Sequence, residues 1–405
     1  MKLAVRLLAM TALLLGSPVC TQAGERKPVL LGIDVLEARG FDALQGKQVG
    51  LITNQTGVDS NGRSTADVLA HVPRVKLVAL FSPEHGIRGT VEHGQEIGDA
   101  IDPRTHLPVY SLYGKVQSPT PEMLNEVDVL VFDMQDVGVR YYTYLATMGM
   151  AMEEAARRGI EFMVLDRPNP LGGALIEGPV ADPKVRHFTA YYSVPVRHGF
   201  TAGELAQWYN ETAHVNAKLT VIPMIGWKRD VLWADTGLRF IAPSPNIQTP
   251  EQALLYAGIG MFEATNLSVG RGTSDPFHLI GAPWIKGKNF VQRLNALGLT
   301  GVKFKRTSFT PQKELYEGQL CSGVYIHITN PAAIRSVDVF VHVAGILREL
   351  YPNDFQLRWP EVARVTGTFD LQRLYESHQS LNDILDIYHR SAAQFAVDRE
   401  KFILY

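Results

Sequence analysis

The sequence has little cysteine, no bias of charge and no long apolar run after its N-terminus. Cys20 and Cys321 are the two cysteines among 405 residues, and Cys20 lies in a segment that we expect to be removed. One remaining cysteine cannot close an internal disulfide, so a packed core must stabilise the fold. The formal net charge of −2 gives no indication of a nucleic-acid partner. We also expect no membrane span in the mature chain, because no later stretch is apolar for long enough.

Common catalytic and cofactor motifs are missing as well. The sequence contains no Gly-x-Ser-x-Gly nucleophile elbow, and residues 54–56 (Asn-Gln-Thr) follow the first apolar run where a dinucleotide-binding protein has its glycine fingerprint. Residues 270–274 resemble part of a phosphate loop but lack its Gly-Lys end. The histidines are scattered without the close spacing of zinc ligands. We therefore expect neither a cofactor nor a metal.

The N-terminus has the three-part layout of an export signal. Lys2 and Arg6 precede an apolar run over residues 7–15, and small residues follow around Ala23. The apolar run is too short to span a bilayer, and the alternative is a buried N-terminal helix. We expect residues 1–23 to be a signal peptide and the mature protein to be periplasmic or secreted.

The first half of the chain alternates apolar runs with helical patterns. Four runs, near residues 49–52, 75–81, 127–132 and 160–165, are short, nearly continuous and rich in β-branched residues. Such runs are typical of strands that are covered on both faces. A helix is predicted over 142–158 with Gly159 at its end, and another after Thr201, where Glu204 completes a capping box. Strand, helix and strand at this spacing predict a parallel, Rossmann-like α/β sheet.

The pattern changes after the proline-rich segment 242–246. A helix is predicted from Thr249, strands near 302–304 and 324–328, and further helices near 331–351 and 379–395. We interpret residues 28–248 as the Rossmann-like catalytic domain and residues 249–405 as a smaller auxiliary α/β domain.

Polar residues interrupted by glycine or proline follow each of the four strands of the first half. The segments are 53–57, 82–86, 133–138 and 166–170. Ligands bind to an open parallel sheet at the carboxyl ends of its strands, where these segments meet. Their carboxylates and amides, together with nearby aromatic rings, are suited to sugar hydroxyls and sugar faces.

Cleavage of a glycoside usually needs one protonated carboxylic acid and a second carboxylate. Glu84 is the candidate acid, because it directly follows a strand and has His85 beside it; alternatively, it caps the next helix or pairs with Arg88. Asp133 and Asp136 are candidates for the second carboxylate, although an aspartate at a strand end often only binds the amides of the next turn.

These segments resemble the NamZ family of exo-β-N-acetylmuramidases. The matching stretches are residues 50–57, 81–86, 133–142, 166–170, 177–179, 197–199, 243–246, 262–268, 270–273 and 276–277. They are spread over nearly the whole chain from about residue 30. The resemblance implies a Rossmann-like domain, an auxiliary C-terminal domain and a cleft between them. It also implies that Glu84, in the Ser-Pro-Glu-His-Gly motif, is the catalytic glutamate.

The leading hypothesis is therefore an enzyme that removes N-acetylmuramic acid from the non-reducing ends of peptidoglycan fragments, its partners being muropeptides or disaccharides. The remaining catalytic group is expected among Asp133, Asp136 and Glu263. Either Arg140 or Arg271 can bind the lactyl carboxylate of a muramic sugar with two hydrogen bonds, or form a structural ion pair instead. Candidate sugar-binding residues are Asn54, Gln135, Arg140, Tyr142, Asn246, Asn266 and Arg271.

Two alternatives remain at this point. A non-catalytic periplasmic protein that binds sugars or muropeptides would have the same export signal, two domains and polar cleft. An esterase or amidase would need an activated serine or a metal, and Ser82 near His85 is the only hint of one.

Overall fold

The N-terminal half is built on one twisted, largely parallel sheet. The computed structural model describes residues 28–88, 98–377 and 379–405, so the predicted signal peptide lies outside the described residues. The strands of this sheet are β1 (Gln48–Thr53), β2 (Lys76–Ser82), β3 (Ala100–Ile101), β4 (Pro108–Ser111), β5 (Val129–Asp133), β6 (Glu161–Leu165) and β7 (Lys218–Ile222). Their order in space is β3-β4-β2-β1-β5-β6-β7, and β3 pairs antiparallel with β4 while the other pairs are parallel.

This strand order confirms the Rossmann-like prediction and shows where a sheet of this topology has its crevice. From β1 the chain builds outward through β2 and β4, then returns to β5 beside β1 and builds the other way through β6 and β7. The connections therefore diverge between β1 and β5, and the loops at the carboxyl ends of these strands leave a crevice there. The four predicted strands correspond to β1, β2, β5 and β6.

Helices cover both faces of the sheet, because side chains alternate between two cores along each strand. Leu51, Val131 and Met163 face the core under α1 (Gly32–Ala38) and α2 (Thr65–Ala70). Their neighbours Ile52, Phe132 and Phe162 face the core formed with α3 (Tyr144–Arg158) and α4 (Ala202–Thr212). The helix predicted after residue 142 is α3, which ends at Gly159 with a φ of 69°. The predicted capping box of Thr201 and Glu204 starts α4.

The C-terminal half is a smaller α/β unit around an antiparallel sheet. Its elements are α5 (Pro250–Ile259), β8 (Leu279–Ala282), α6 (Gly287–Ala296), β9 (Val302–Phe309), β10 (Cys321–Ile328), α7 (Ser336–Leu350), α8 (Trp359–Thr366), α9 (Asp370–Glu376) and α10 (Leu381–Asp398). The strands lie in the order β8-β10-β9. The largest core continues from the first half into this one, where it includes Phe262 and Phe340.

None of the helices in the described part of the chain combines the length and the apolar character that crossing a membrane requires.

Candidate active site

A cavity of about 170 Å³ lies between the two halves, beyond the carboxyl end of β2. Both halves contribute to its lining, which consists of Glu84, His85, Tyr141, Tyr142, Thr143, Thr189, Ser244, Asn246, Ile247, Tyr256, Gly260, Glu263, Arg271, Phe277 and Val365. Six of the candidate residues are among them: Glu84, His85, Tyr142, Asn246, Glu263 and Arg271.

Glu84 is held in the cavity by a sharp turn after β2. His85 and Gly86 have φ values of 72° and 74°, a left-handed conformation that a residue other than glycine adopts at a cost of about 1–2 kcal/mol. Glu84 is 6% exposed, and its Oε2 accepts a hydrogen bond of 3.1 Å from the hydroxyl of Thr143. The segment after it forms turns rather than a helix, and Arg88 pairs with Asp102 at 2.6 Å. Glu84 therefore does not cap a helix within the described residues.

Aromatic rings form much of the wall beside Glu84. The ring of Tyr142 packs edge-on against Tyr144 at 4.7 Å and against Tyr256 at 6.1 Å between centroids, and Phe277 packs on Tyr256 at 5.0 Å. Burial raises the pKa of Tyr142 well above its usual value, so its hydroxyl stays neutral. By geometry this buried hydroxyl makes no hydrogen bond within the described residues, although Tyr144 lies close enough to affect its pKa. A bound sugar hydroxyl could supply a hydrogen-bond partner.

An ion pair lies in the wall contributed by the C-terminal half. Arg271 donates from Nε to the carboxylate of Glu263, and its Nη1 lies 3.8 Å from Glu314. Burial opposes the charge of Arg271, but the two glutamates outweigh it and raise the pKa of the guanidinium above its usual value. The guanidinium of Arg271 is therefore a positive charge that carboxylates hold in the cavity. It lies 5.9 Å from the ring centroid of Phe277.

Asp136 lies outside the lining but close to its tyrosines. Its Oδ2 accepts a hydrogen bond of 2.6 Å from the Gly138 amide, whereas its buried Oδ1 has no partner among the described residues. Burial raises the pKa of Asp136 to about 7, and its charge in turn contributes to the raised pKa of Tyr142 and Tyr256. Asp136 is thus a carboxyl group that titrates near neutral pH next to the aromatic wall.

The structure places Asp133 and Gln135 away from this cavity. Asp133 is fully buried and accepts bonds of 2.6 and 3.0 Å from Arg167, as well as one from the hydroxyl of Thr65. The amide nitrogen of Gln135 donates to the carbonyls of Asp136 and Pro168 at 2.8 and 2.7 Å. Asp133 therefore has the structural role of an ion-pair partner.

Asn54, Arg140 and Asn266 also hold the fold rather than line the cavity. Asn54 accepts from the amide and hydroxyl of Thr56 at 2.9 and 2.6 Å. Asn266 bridges to the backbone of residues 354 and 356. Arg140 donates to three backbone carbonyls at 2.7–3.0 Å, and burial lowers its pKa to about 10. Of the two arginines proposed for the lactyl group, Arg271 is the one in the cavity.

Several lining residues had no clear signal in the sequence. Tyr141 and Thr143 flank the candidate Tyr142, but their direction depends on the turn before α3. Tyr256 lies within α5 and has the pattern of an ordinary core residue. Thr189 comes from the long connection between β6 and α4, which contains little regular structure.

No group of three or more histidine, cysteine or acidic side chains is arranged to hold a metal within residues 28–88, 98–377 and 379–405.

Comparison with known proteins points to one family. The family models for the N-terminal and C-terminal parts of the exo-beta-N-acetylmuramidase NamZ match residues 49–251 and 254–405. The peptidoglycan beta-N-acetylmuramidase NamZ of Bacillus subtilis (strain 168) is 44% identical over 385 residues, which is 95% of this chain and 93% of that protein.

Two crystal structures of DUF1343 family proteins from Bacteroides fragilis NCTC 9343 have the same fold. One has a TM-score of 0.88 at 38% identity and covers 93% of this chain and 99% of that one. The other has a TM-score of 0.75 at 28% identity and covers 94% and 99%.

The fold, the carboxylate-lined cavity and these matches together define an α/β glycosidase. The chain belongs to the NamZ family of exo-β-N-acetylmuramidases.

Proposed function

We propose that this chain releases N-acetylmuramic acid from the non-reducing ends of peptidoglycan fragments, with Glu84 as the general acid. The observation that carries this assignment of Glu84 is its position as a buried carboxyl group in a small cavity between the two halves. A cavity that excludes water is the environment in which a carboxylic acid can act as a proton donor.

In the proposed reaction, Glu84 gives its proton to the glycosidic oxygen as the bond to the anomeric carbon breaks. The positive charge that develops on the sugar ring needs a carboxylate nearby, and a water molecule completes the hydrolysis. Glu263 is the carboxylate that shares the cavity with Glu84. Asp133 is less suited to this role, because it is fully buried and does not line the cavity.

Arg271 provides the means of selecting a muramic sugar. This sugar differs from N-acetylglucosamine by a lactyl group that ends in a carboxylate, and a guanidinium binds a carboxylate with two parallel hydrogen bonds. Arg271 is held in place by Glu263, so little further ordering is needed when the ligand binds. Tyr142 and Asn246 offer a hydroxyl and an amide for the remaining polar groups.

The test of the function is release of 4-nitrophenol from 4-nitrophenyl β-N-acetylmuramide by residues 24–405. A Glu84→Gln variant should lose at least about a hundredfold in kcat on the disaccharide of N-acetylmuramic acid β-1,4-linked to N-acetylglucosamine, whose alcohol leaving group needs the proton, while still binding N-acetylmuramic acid. The matched control is Glu317→Gln, at an exposed position outside the cavity, which should keep full activity. Absence of turnover by the wild type, with tight binding of the free sugar, would instead identify a binding protein.

We further propose that the chain is exported and that residues 1–23 are removed. Support comes from the basic, apolar and small-residue layout of these residues. Mass spectrometry of the protein recovered from the periplasm or medium should find Gly24 at the N-terminus. Recovery of the uncleaved chain from the cytoplasm would contradict export.

A further inference from the structure

A second cavity of about 240 Å³ adjoins the first on the side of the C-terminal half. The two cavities share only Glu263 and Arg271, so this ion pair forms the wall between them. The other residues of the second cavity are Thr265, Leu267, Ser268, Val269, Glu314, Leu315 and Arg358.

The first cavity is the more enclosed of the two, and the second reaches solvent at its rim. Around the first, Glu84, Tyr142 and Phe277 are 6%, 7% and 0% exposed. At the rim of the second, the side chain of Glu314 and the residue Leu315 are 39% and 43% exposed. An enzyme that removes a terminal sugar needs a closed site for that sugar and an open path for the rest of the glycan.

The loop that carries Leu315 is fixed in place. Glu314 and Tyr316, on either side of it, have φ values of 64° and 65°, a left-handed conformation that non-glycine residues adopt only at a cost. The hydroxyl of Tyr316 donates to the Asn266 carbonyl at 2.7 Å and accepts from Trp284 at 3.1 Å. A strained backbone of this kind persists only where surrounding contacts hold it. The exposed Leu315 therefore has a defined position at the rim of the second cavity.

We propose that the second cavity binds the leaving-group sugar, the neutral N-acetylhexosamine on the far side of the scissile bond. This inference rests on the proposed function, in which the first cavity holds the N-acetylmuramic acid. It gives a place to the sugar on the other side of the bond that is cleaved. The glycan would pass from the first cavity to the second at the Glu263–Arg271 ion pair, with the scissile bond near that point.

The lining of the second cavity suits a neutral sugar. Leu267, Val269 and Leu315 form an apolar surface on which a sugar ring can pack. Its charged groups are two arginines, Arg271 and Arg358, and two glutamates, Glu263 and Glu314, so the formal charges cancel. An acidic peptide side arm would need an excess of positive charge instead.

The test compares two substrates on variants of one loop. Leu315→Trp fills the second cavity and leaves the first untouched, since Leu315 lines only the second. The matched control is Leu320→Trp, which changes an equally apolar, 68% exposed residue before β10 that lines neither cavity. The substrates are β-N-acetylmuramyl fluoride, whose leaving group is a single atom, and the disaccharide in which N-acetylmuramic acid is β-1,4-linked to N-acetylglucosamine.

Leu315→Trp should lower kcat/KM for the disaccharide at least tenfold and leave that for the muramyl fluoride within threefold, whereas Leu320→Trp should change neither. Equal effects of Leu315→Trp on both substrates, or no effect, would overturn the inference. So would a loss confined to disaccharides that carry a peptide, because the cavity would then hold the side arm.

Failure of the proposed function is a separate result, since the wild type would then cleave neither substrate. In that case, calorimetric measurement of sugar binding still tests the assignment of the second cavity. The disaccharide should bind at least tenfold more weakly to Leu315→Trp than to the wild type, with N-acetylmuramic acid unaffected, and equal binding of the disaccharide would overturn it.

Discussion

Single side chains in the cavity have chemical properties that depend on their immediate partners. Arg271 is the clearest case, because Glu263 fixes the guanidinium while leaving part of its donor set for a ligand. Arg140, which carries the same charge, donates to three backbone carbonyls and does not line the cavity. The difference lies in the neighbours of each arginine, not in the residue type.

Replacement of Arg271 by methionine should remove the preference for muramides over glucosaminides. A hydrogen bond to a charged group contributes about 1.5–3 kcal/mol, which corresponds to a ratio of kcat/KM that falls about 10- to 100-fold. Steady-state kinetics on the two 4-nitrophenyl sugars would measure this ratio. Arg271→Lys should restore part of it.

The control for Arg271 is Arg293→Met, which breaks the exposed ion pair with Glu349 and should leave the ratio unchanged. An unaltered preference in Arg271→Met would show that another group recognises the lactyl carboxylate.

Asp136 should make the stability of the protein depend on pH. Its pKa is raised by burial from 3.8 to about 7, so between these values the folded chain holds a proton that the unfolded chain has lost. Stability should therefore fall as pH rises through this window, by up to about 1.4 kcal/mol per pH unit. In Asp136→Asn this contribution disappears, and the variant should gain relative to wild type from pH 4 to pH 8.

Urea unfolding at several pH values would measure the effect of Asp136→Asn. The exposed Asp235→Asn is the control and should follow the wild type at every pH. If the free energies of unfolding of Asp136→Asn and the wild type differ by the same amount at every pH, the raised pKa of Asp136 is contradicted.

The sequence predicted which end of the sheet a residue lies near better than it predicted which groups the side chain contacts. The rule that ligands gather at strand ends brought Glu84 to the cavity from the sequence alone. The same rule selected Asp133 and Gln135, whose side chains turn to Arg167 and to backbone carbonyls. Side-chain direction in these loops depends on turns and partners from distant segments, which a local pattern does not contain.

At the scale of helices and strands, the sequence predicted where an element begins or ends when capping residues mark that position. Thr201 caps α4 as predicted, and its hydroxyl accepts from the Glu204 amide at 3.2 Å. The tertiary structure adds a second bond, from this hydroxyl to the buried Asp166 at 2.7 Å. Ser380, which caps α10, is exposed and bonds within its own turn to Asp383.

Thr201→Ala should therefore destabilise the protein more than Ser380→Ala. Loss of a cap costs about 1 kcal/mol, and Thr201→Ala also deprives Asp166 of a donor, so about 2 kcal/mol or more is expected there. Denaturant unfolding with unchanged m-values would measure both. Thr201→Ser keeps the hydroxyl and should stay close to the wild type, and a larger loss in Ser380→Ala would contradict the argument.

Central strands were predictable and edge strands were not. The strands β1, β5 and β6 are buried on both faces, so their residues are apolar almost throughout. In the edge strand β7, exposed and half-buried residues alternate until the buried Ile222, and β3 is two residues long. Neither strand has an apolar run that would distinguish its sequence from that of a loop.

At the scale of the whole molecule, the two halves share one core and are joined by buried polar contacts. Arg197 donates to Glu177 at 3.0 Å and to the Ile334 carbonyl of the C-terminal half at 3.3 Å. The final residue, Tyr405, returns to the first sheet, where its hydroxyl donates to Asp166 at 2.7 Å and accepts from the Met224 amide at 2.8 Å. We expect the halves to unfold together.

Calorimetry should accordingly find one unfolding transition, and Tyr405→Phe should lower its midpoint without splitting it. The loss of the hydroxyl should cost about 1–3 kcal/mol, because two buried groups lose a partner. Tyr325→Phe is the control, since the half-buried hydroxyl there makes no hydrogen bond within the described residues, and it should have little effect. Two separate transitions in the wild type would show that the halves are independent.

The sequence by itself determined the α/β class, the central strands, the capped helices and the family, and it placed Glu84 at the carboxyl end of a central strand. These properties depend on local periodicity and on short motifs that are contiguous in the chain. Only the tertiary structure decided that Glu263 and Arg271 share a cavity with Glu84, that Asp133 belongs to Arg167, and that a second cavity adjoins the first. Those relations join residues more than thirty positions apart, or on opposite halves, and they depend on packing that no local pattern encodes.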